Sequence, residues 1–265
     1  MRRGRNRAAL TVATAFSLCV AACTTQKIVT PTRSLDRPSD VAMVCARGTG
    51  GNGNLQVRPL AECKNVQDFG HGSDPLQLYL LVSGSTRGEL SAVFTGHPDA
   101  GSDNSTQVQA TILDLDPNTP GYGFLPVGGL PQPLRTSDDG SWAVTANRGT
   151  CDLAVVDVAT VLKSGTGDTN VVGIPSQAVD RVVPRVGGKP LGARPTWVEM
   201  SAPQTGGGAC TSGRCVVVAM PVCELVAEID LAAPAGAATN ITQALHVGRD
   251  GARVIDPASI RCPVE

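Results

Sequence analysis

The sequence predicts an all-β protein built from repeated antiparallel hairpins, and three observations lead to this fold class. Glycine and proline are frequent, with 30 and 19 residues, so long uninterrupted helices are disfavoured. The apolar runs are short, rich in Val and Leu, and bounded by turn residues, which is typical of strands. The same succession of strands and turns recurs along the chain, which indicates a repeat architecture.

The clearest repeated element is a hairpin with two apolar arms. Each copy has an apolar strand, a short turn, an acidic residue followed by Leu, and a second apolar strand. The copies span residues 78–94, 142–157 and 215–230. Because the arms are almost entirely apolar and do not alternate strictly with polar residues, we expect sheets that are covered on both faces.

Two further elements flank each hairpin and complete the repeating unit. A strand-like segment precedes it, and a Val-Gly-Gly-x-Pro segment follows the first two copies, with a weaker match after the third. Each unit therefore has four short strands, the content of one β-propeller blade. Residues 256–262 start the pattern again, so the sequence predicts one extra inner strand there. The preceding segments are 37–44, 133–140 and 194–200, and the following ones are 124–131, 183–190 and 244–248.

The middle unit resembles the YVTN-type β-propeller family. The resemblance rests on the Ser-Asp-Asp-Gly turn at 137–140, the strand at 142–147, the strand end at 156–157 and the Val-Gly-Gly-x-Pro crossings. It extends over 37–262, and it implies a radial array of antiparallel blades without any shared chemistry. We therefore expect a partial β-propeller of about three four-stranded blades plus one extra inner strand.

Two questions about this fold stay open at the level of sequence. A β-sandwich is the alternative architecture, because strand spacing alone does not separate it from a propeller. Closed propellers have about four to eight blades, so three blades predict an incomplete ring. A longer native product, another protein or self-association would complete it.

The N-terminus has the layout of a secretory signal. Four arginines within residues 2–7 precede an apolar stretch at about 8–20, which is too short to span a bilayer. The small residues Ala21 and Ala22 come directly before Cys23, and this arrangement resembles the lipobox of bacterial lipoproteins. The resemblance implies cleavage before Cys23, lipid modification of Cys23, and, with Thr24 in place of Asp, an outer-membrane location.

These features divide the chain into three parts. Residues 1–22 are the expected lipoprotein signal peptide, and 23–36 are a polar tether without periodicity. Residues 37–265 are the expected propeller-like domain. The net charge of -1 shows no excess of the basic residues that bind nucleic acid, so we expect no nucleic-acid partner.

Export to an oxidising compartment makes disulfides the expected state of the cysteines. Of the nine, Cys19 leaves with the signal and Cys23 takes the lipid, so seven remain. Zinc is the competing interpretation, but no Cys-x2-Cys pair or nearby His completes a tetrahedral set, and we expect no metal site and no cofactor. The remaining cysteines are Cys45, Cys63, Cys151, Cys210, Cys215, Cys223 and Cys262.

The positions of these cysteines predict three pairings. Cys45–Cys63 brackets an insertion in the first unit, and Cys210–Cys215 closes a short loop. Cys151–Cys223 is a third candidate, because the two occupy the same place in consecutive repeats and would bridge if their Cα atoms lie within about 7 Å. We assign the odd thiol to Cys262 and expect it to contact another chain.

The sequence shows no catalytic constellation. The three histidines are His71, His97 and His246, and no spacing connects one of them to a nucleophile and an acid. The first hypothesis is therefore a non-enzymatic binding or scaffold lipoprotein, whose partner is an envelope protein or a surface ligand. The alternative is the N-terminal part of a secreted propeller enzyme, of hydrolase or lactonase type, whose catalytic residues lie beyond Glu265.

Overall fold

A computed structural model describes residues 35, 37–48, 55–64, 76–95, 111–113, 124–165, 178–201, 210 and 212–262. The chain divides into two units, Met1–Pro31 and Thr32–Glu265, and every described residue belongs to the second. The signal peptide and Cys23 lie outside the described residues. Within the described part, none of the helices has the length and apolar character needed to cross a membrane.

The predicted all-β class is confirmed, since the described chain forms several antiparallel sheets. The first, called here the N-terminal sheet, has six strands in the order β2-β1-β3-β4-β5, with β6 also paired to β4. A disulfide joins β1 to the short 3₁₀ segment Leu60–Lys64. The strands are β1 Pro38–Arg47, β2 Gln56–Arg58, β3 Leu76–Gly84, β4 Glu89–Phe94, β5 Thr111–Ile112 and β6 Leu125–Pro126.

The middle sheet is a regular four-stranded meander in the order β7-β8-β9-β10. A helix, α1 Val158–Gly165, follows β9, and its apolar residues Val158, Val161 and Leu162 pack into the core. The strands are β7 Pro131–Thr136, β8 Trp142–Asn147, β9 Asp152–Asp157 and β10 Val179–Val182.

The C-terminal sheet has five strands that follow one another in chain order from β13 to β17. A separate two-stranded hairpin, β11 Arg185–Val186 and β12 Lys189–Pro190, lies before it in the chain. The strands of the sheet are β13 Trp197–Met200, β14 Cys215–Met220, β15 Leu225–Asp230, β16 Ile241–Gly248 and β17 Gly251–Ile255, and a 3₁₀ turn, Pro221–Cys223, joins β14 to β15.

The three predicted hairpins are confirmed as β3–β4, β8–β9 and β14–β15. The extra inner strand expected at 256–262 is wrong. Asp256 accepts a hydrogen bond from the Ala258 amide at 2.9 Å, and Pro257–Ser259 forms a 3₁₀ turn. Pro257 at the first position fixes the backbone for that turn, so the segment folds back instead of extending.

The three sheets pack face to face in chain order, and side-chain alternation explains how. In β8, Ala143 packs into a core shared with the N-terminal sheet, while Val144 and Ala146 pack into a core shared with the C-terminal sheet. Successive strand residues point to opposite faces, so the middle sheet is covered on both. This explains why all six residues of β8 are buried, with Thr145 and Asn147 among them.

The Ser-Asp-Asp-Gly motif makes the turn between β7 and β8. The Gly140 amide donates to the Ser137 carbonyl at 2.8 Å, and Gly140 has a positive φ of 72°. Burial alone would raise the pKa of Asp139, but hydrogen bonds from the Ser137 hydroxyl and from the Ser141 amide and hydroxyl outweigh it and lower that pKa. The turn is therefore held by an ionised carboxylate, as the motif suggests.

The crossing from the N-terminal to the middle sheet brings two backbone segments into close contact. The Val127 and Gly128 amides both donate to the Gly88 carbonyl, at 2.8 and 3.2 Å. Gly128 has a φ of 130°, and a Cβ there would lie 2.6 Å from Asn147 Nδ2 and 2.8 Å from Arg181 Nη2. Gly187, the counterpart in the next crossing, lies in the β11–β12 turn, and a Cβ there would meet nothing within 4 Å.

These two glycines give a matched test of the crossing. Both have a positive φ, which costs an Ala about 1–2 kcal/mol, but only Gly128 also lacks room for a side chain. We expect Gly128→Ala to lower the free energy of unfolding by about 2–4 kcal/mol and Gly187→Ala by about 1 kcal/mol. Urea unfolding measures both, and equal losses would contradict the described packing at Gly128.

Tyr79 in β3 predicts a pH dependence of stability. Its side chain is buried in the core between the first two sheets, where its hydroxyl donates to Gln77 Oε1. Burial raises the pKa of Tyr79 to about 12, above the usual value of about 10. The neutral phenol is thus favoured in the folded state. Its contribution to the free energy of unfolding is fully present at pH values below the pKa that Tyr79 has in the unfolded chain.

We therefore expect about 2–3 kcal/mol of stability to be lost as the pH rises from about 10 to about 12. The Tyr79→Phe variant should lose less over this interval, since it has no phenol to ionise on unfolding. Tyr122→Phe, which removes the other tyrosine, is the control. Identical pH profiles for the wild type and Tyr79→Phe, measured by urea unfolding, would contradict the assignment.

Candidate functional site

The first strand of each sheet lies beside the first strand of the next, with β7 in contact with both β1 and β13. We call β1, β7 and β13 the lead strands. They come from the segments that precede the predicted hairpins. Each of β7 and β13 has one neighbour in its own sheet, so its other edge is not paired within the described sheets.

Arg135 on β7 connects the three lead strands. One guanidinium nitrogen, Nη1, lies 3.1 Å from Asp40 Oδ2 of β1, and Nε lies 3.1 Å from Glu199 Oε2 of β13. The same Asp40 oxygen also accepts a 2.9 Å hydrogen bond from the Leu134 amide. Charge-assisted hydrogen bonds of this kind are stronger than neutral ones, and here they link the three lead strands side by side.

Trp197 on β13 completes this cluster. The guanidinium carbon of Arg135 lies 4.9 Å from the centroid of the indole ring, which is the geometry of a cation–π contact. Trp197 is 51% exposed and the Glu199 side chain 53% exposed, so both remain open to solvent. The cluster is therefore an aromatic and acidic corner at the surface, with an arginine already bound on one side.

The corner lies on the face of the C-terminal sheet that points away from the middle sheet, which we call the C-terminal face. Val198, Val216, Val218 and Ala227 point into the core shared with the middle sheet, so the alternate residues point away from it. Pairing of the strands aligns these alternate residues into a mainly apolar row across the sheet. The row consists of Trp197, Ala219, Val226, Leu245 and Val254, and Val254 is 83% exposed.

The N-terminal sheet also has an outward apolar face. Val41 and Met43 alternate with the core residues Ala42 and Val44 on β1 and are 49% and 51% exposed.

A small cavity of about 10 Å³ lies between Pro38, Val82 and Phe124, which leaves room for a single water. This cavity is too small to be a site for an organic ligand.

The described part of the chain contains three disulfides. Cys45–Cys63 and Cys210–Cys215 are the two loop pairs that the sequence predicts. The third joins Cys223 to Cys262, with a Cα–Cα distance of 4.8 Å. The sequence thus locates two of the three pairs, because each of these two closes a single loop.

The predicted Cys151–Cys223 pair is wrong, and so is the assignment of Cys262 as the odd thiol. Cys151 lies at the β8–β9 turn with a positive φ of 56° and is the free cysteine of the described part. Cys223 lies in the core between the middle and C-terminal sheets. The C-terminal segment folds back there and brings Cys262 next to Cys223. The equivalence of two repeat positions did not mean that their side chains meet.

Histidine and metal chemistry add no site in the described residues. His246 Nε2 on β16 lies 3.3 Å from Oε2 of Glu224, which directly precedes β15, and this pair is partly exposed. His71 and His97 lie outside the described residues. The described residues contain no group of His, Cys, Asp or Glu that could hold a metal ion.

A buried polar network secures the crossing at Gly128 instead of forming a site. Asn147 Nδ2 donates to the Val127 carbonyl at 2.8 Å and to Asp152 Oδ1 at 2.9 Å. Asp152 also forms an ion pair with Arg181 of the neighbouring strand β10. These contacts tie a turn, a hairpin and an outer strand together, and they explain why polar residues occur in the middle of a buried sheet.

No sequence motif marks Arg135, Trp197 or Glu199 as site residues. All three occur in the repeated segments 133–140 and 194–200. The available signal was the alternation of charge at the corresponding strands, Asp40, Arg135 and Glu199. That signal becomes meaningful only when the three strands are known to be neighbours.

Comparisons with known proteins do not assign the chain to a family. No protein-family model matches the sequence, and no curated protein matches it. Among solved structures, the chain is similar to "Dihydro-heme d1 dehydrogenase NirN in complex with DHE", with 12% sequence identity and a TM-score of 0.36. The match covers 83% of this chain and 43% of that one, so the chain spans less than half the length of that structure. An overlap this loose assigns neither a fold nor an activity.

The disulfides give a graded stability prediction. In the chain-entropy account, closing a longer loop stabilises more, so Cys223–Cys262, with a separation of 39, should contribute more than Cys210–Cys215, with a separation of 5. We expect the double variant Cys223→Ala, Cys262→Ala to lower the free energy of unfolding by about 4 kcal/mol. The double variant Cys210→Ala, Cys215→Ala should lower it by about 2 kcal/mol.

Thermal unfolding of the two double variants measures this difference. Peptide mapping without reduction checks the pairing itself and should recover Cys151 as the alkylated thiol. A Cys151–Cys223 peptide in that map would contradict the structure and restore the pairing expected from the repeats.

Proposed function

We propose that this protein is a lipid-anchored, non-enzymatic binding protein of the bacterial cell envelope, whose three sheets are consecutive blades of a partial β-propeller. The observation that carries the binding role is the C-terminal face with Trp197 and Glu199 at its corner. Large exposed apolar patches next to polar groups mark interaction surfaces on soluble proteins. An exposed Trp beside a charged residue has the composition of a binding hot spot.

The arrangement of the sheets supports the propeller interpretation. Each sheet is an antiparallel array that contains the predicted hairpin, the lead strands are neighbours, and the faces pack in chain order. A β-sandwich has two sheets with one shared core. Here the middle sheet shares a core with each of the other two, which favours a radial succession of blades.

The cysteines support export. Disulfides persist in oxidising compartments such as the bacterial periplasm and the cell surface, and six of the described cysteines are paired. The basic start, the short apolar stretch and the small residues before Cys23 supply the anchor in this proposal. The partner would then be another envelope protein or a surface ligand, met at the outer membrane.

The anchor is tested by replacing Cys23 in the full chain and fractionating the cells. Each buried CH₂ of an acyl chain contributes about 0.8 kcal/mol, so two chains hold a protein stably at a membrane. We expect wild type in the membrane fraction, with a mass that shows cleavage before Cys23 and attached acyl chains. Cys23→Ser should lose the lipid and leave the membrane fraction or remain as an uncleaved precursor.

Cys19→Ser is the matched control, because it removes a cysteine four positions upstream within the apolar stretch. That variant should be lipidated and fractionate like wild type. Acyl chains on Cys23→Ser, or wild-type protein that carries no lipid, would refute the proposed anchor.

A further inference from the structure

We propose that the Trp197–Glu199 corner of the C-terminal face is the docking site for an arginine-bearing β-strand of another polypeptide. The guanidinium of that strand would lie against the indole and pair with the carboxylate. This inference names the partner chemistry of the binding role proposed above and rests on it.

The chain already pairs an arginine with a carboxylate at both junctions between its own sheets, and at the second junction the guanidinium also lies against an indole. At the first, Asp40 of β1 binds Arg135 of β7, and at the second, Arg135 binds Glu199 and Trp197 of β13. Acidic and basic side chains therefore alternate from one lead strand to the next. Glu199 is the acidic end of this series, so the complementary group on the next strand is a cation.

The corner has surface left for a second cation. Arg135 contacts the indole on one side, yet half of Trp197 and half of the Glu199 side chain stay exposed. A carboxylate accepts several hydrogen bonds; Glu199 uses Oε2 for Arg135, and Oε1 has only a long 3.4 Å contact from the Met200 amide. A guanidinium is planar and binds both a carboxylate and an aromatic face, which makes Arg a better fit here than Lys.

The rest of the C-terminal face is mainly apolar. Glu228 pairs with Val217 as Glu199 does and so lies on the same face, but it is only 6% exposed, and its two oxygens accept hydrogen bonds of 2.6 Å each from Ser201 and Thr242. Glu199 is therefore the carboxylate that an approaching strand would meet at this corner. Electrostatic complementarity therefore selects an apolar strand surface with positive charge.

A second copy of this chain fits the corner less well. The face that would continue the series in a second copy is the outward face of the N-terminal sheet, led by β1. In the first junction the charged group of β1 is Asp40, so the same packing would bring Asp40 of the copy towards Glu199. Two carboxylates in that position repel each other, which disfavours self-docking.

The test uses a peptide that copies the strand which the chain itself docks in this way. The probe is residues 131–136, Pro-Gln-Pro-Leu-Arg-Thr, acetylated at its N-terminus and carrying a C-terminal fluorescein. A second peptide has Gln in place of Arg. Each is titrated with the mature soluble Cys23→Ser chain, and fluorescence anisotropy reports binding without depending on tryptophan emission.

We expect saturable binding of the arginine peptide with a Kd of about 1 mM or lower, weakened by salt because the contact is between charges. The glutamine peptide, and the Glu199→Gln or Trp197→Ala protein, should bind about three- to tenfold more weakly. Glu62→Gln is the control, because it makes the same charge change on an exposed residue of the 3₁₀ segment Leu60–Lys64, away from the C-terminal sheet. Circular dichroism confirms that each variant is folded.

Equal affinity of the two peptides would overturn the proposal, as would equal affinity of the Glu199→Gln and Glu62→Gln proteins. A sedimenting dimer of the soluble chain that Trp197→Ala dissociates would identify a second copy as the occupant and overturn it too. Because this test uses the soluble chain, its failure is separate from failure of the lipid anchor, which is measured on the full chain in cells.

Discussion

A sheet with apolar side chains on both faces is stable in water only when another layer covers each face. The middle sheet of this protein is in that position, since β8 contributes Ala143 to one core and Val144 to the other. Burial of a Val or Leu side chain stabilises by about 1.5–3 kcal/mol, so two apolar faces provide most of the energy that holds the sheets together. Each neighbouring sheet buries one apolar face against the middle sheet and leaves its other face partly exposed, so the order of the sheets follows from this constraint.

Apolar packing brings the sheets together, but it does not by itself align them. Arg135 constrains how the strands align, because the donors of its guanidinium have a fixed geometry and bind Asp40 on one side and Glu199 on the other. A partly exposed ion pair contributes only about 0–1 kcal/mol, so the role of this arginine is mainly in register. The same chemistry underlies the proposed preference of the exposed end of the series, at Glu199 and Trp197, for a cation.

Local features were predictable from the sequence, and relations between distant segments were not. The hairpins β8–β9 and β14–β15 were evident because apolar arms, turn residues and strand propensity all act within about twenty residues. The Cys45–Cys63 and Cys210–Cys215 pairs were evident for the same reason. Cys223–Cys262 was not, because it depends on a 3₁₀ turn at Pro257–Ser259 that reverses the chain. The candidate site was not predictable either, because Arg135 and Glu199 lie 64 positions apart and meet only through packing of two sheets.

The Cys223–Cys262 bond closes a covalent ring that contains β15, β16 and β17. A protease that cuts one peptide bond inside this ring leaves both fragments attached, so a single nick does not release a strand. The three strands also cannot be peeled away one after another by a force on the end of the chain, because the load passes through the sulfur atoms to the start of β15. The part of the sheet that carries Val226, Leu245 and Val254 thereby resists both strand release by a single cut and stretching.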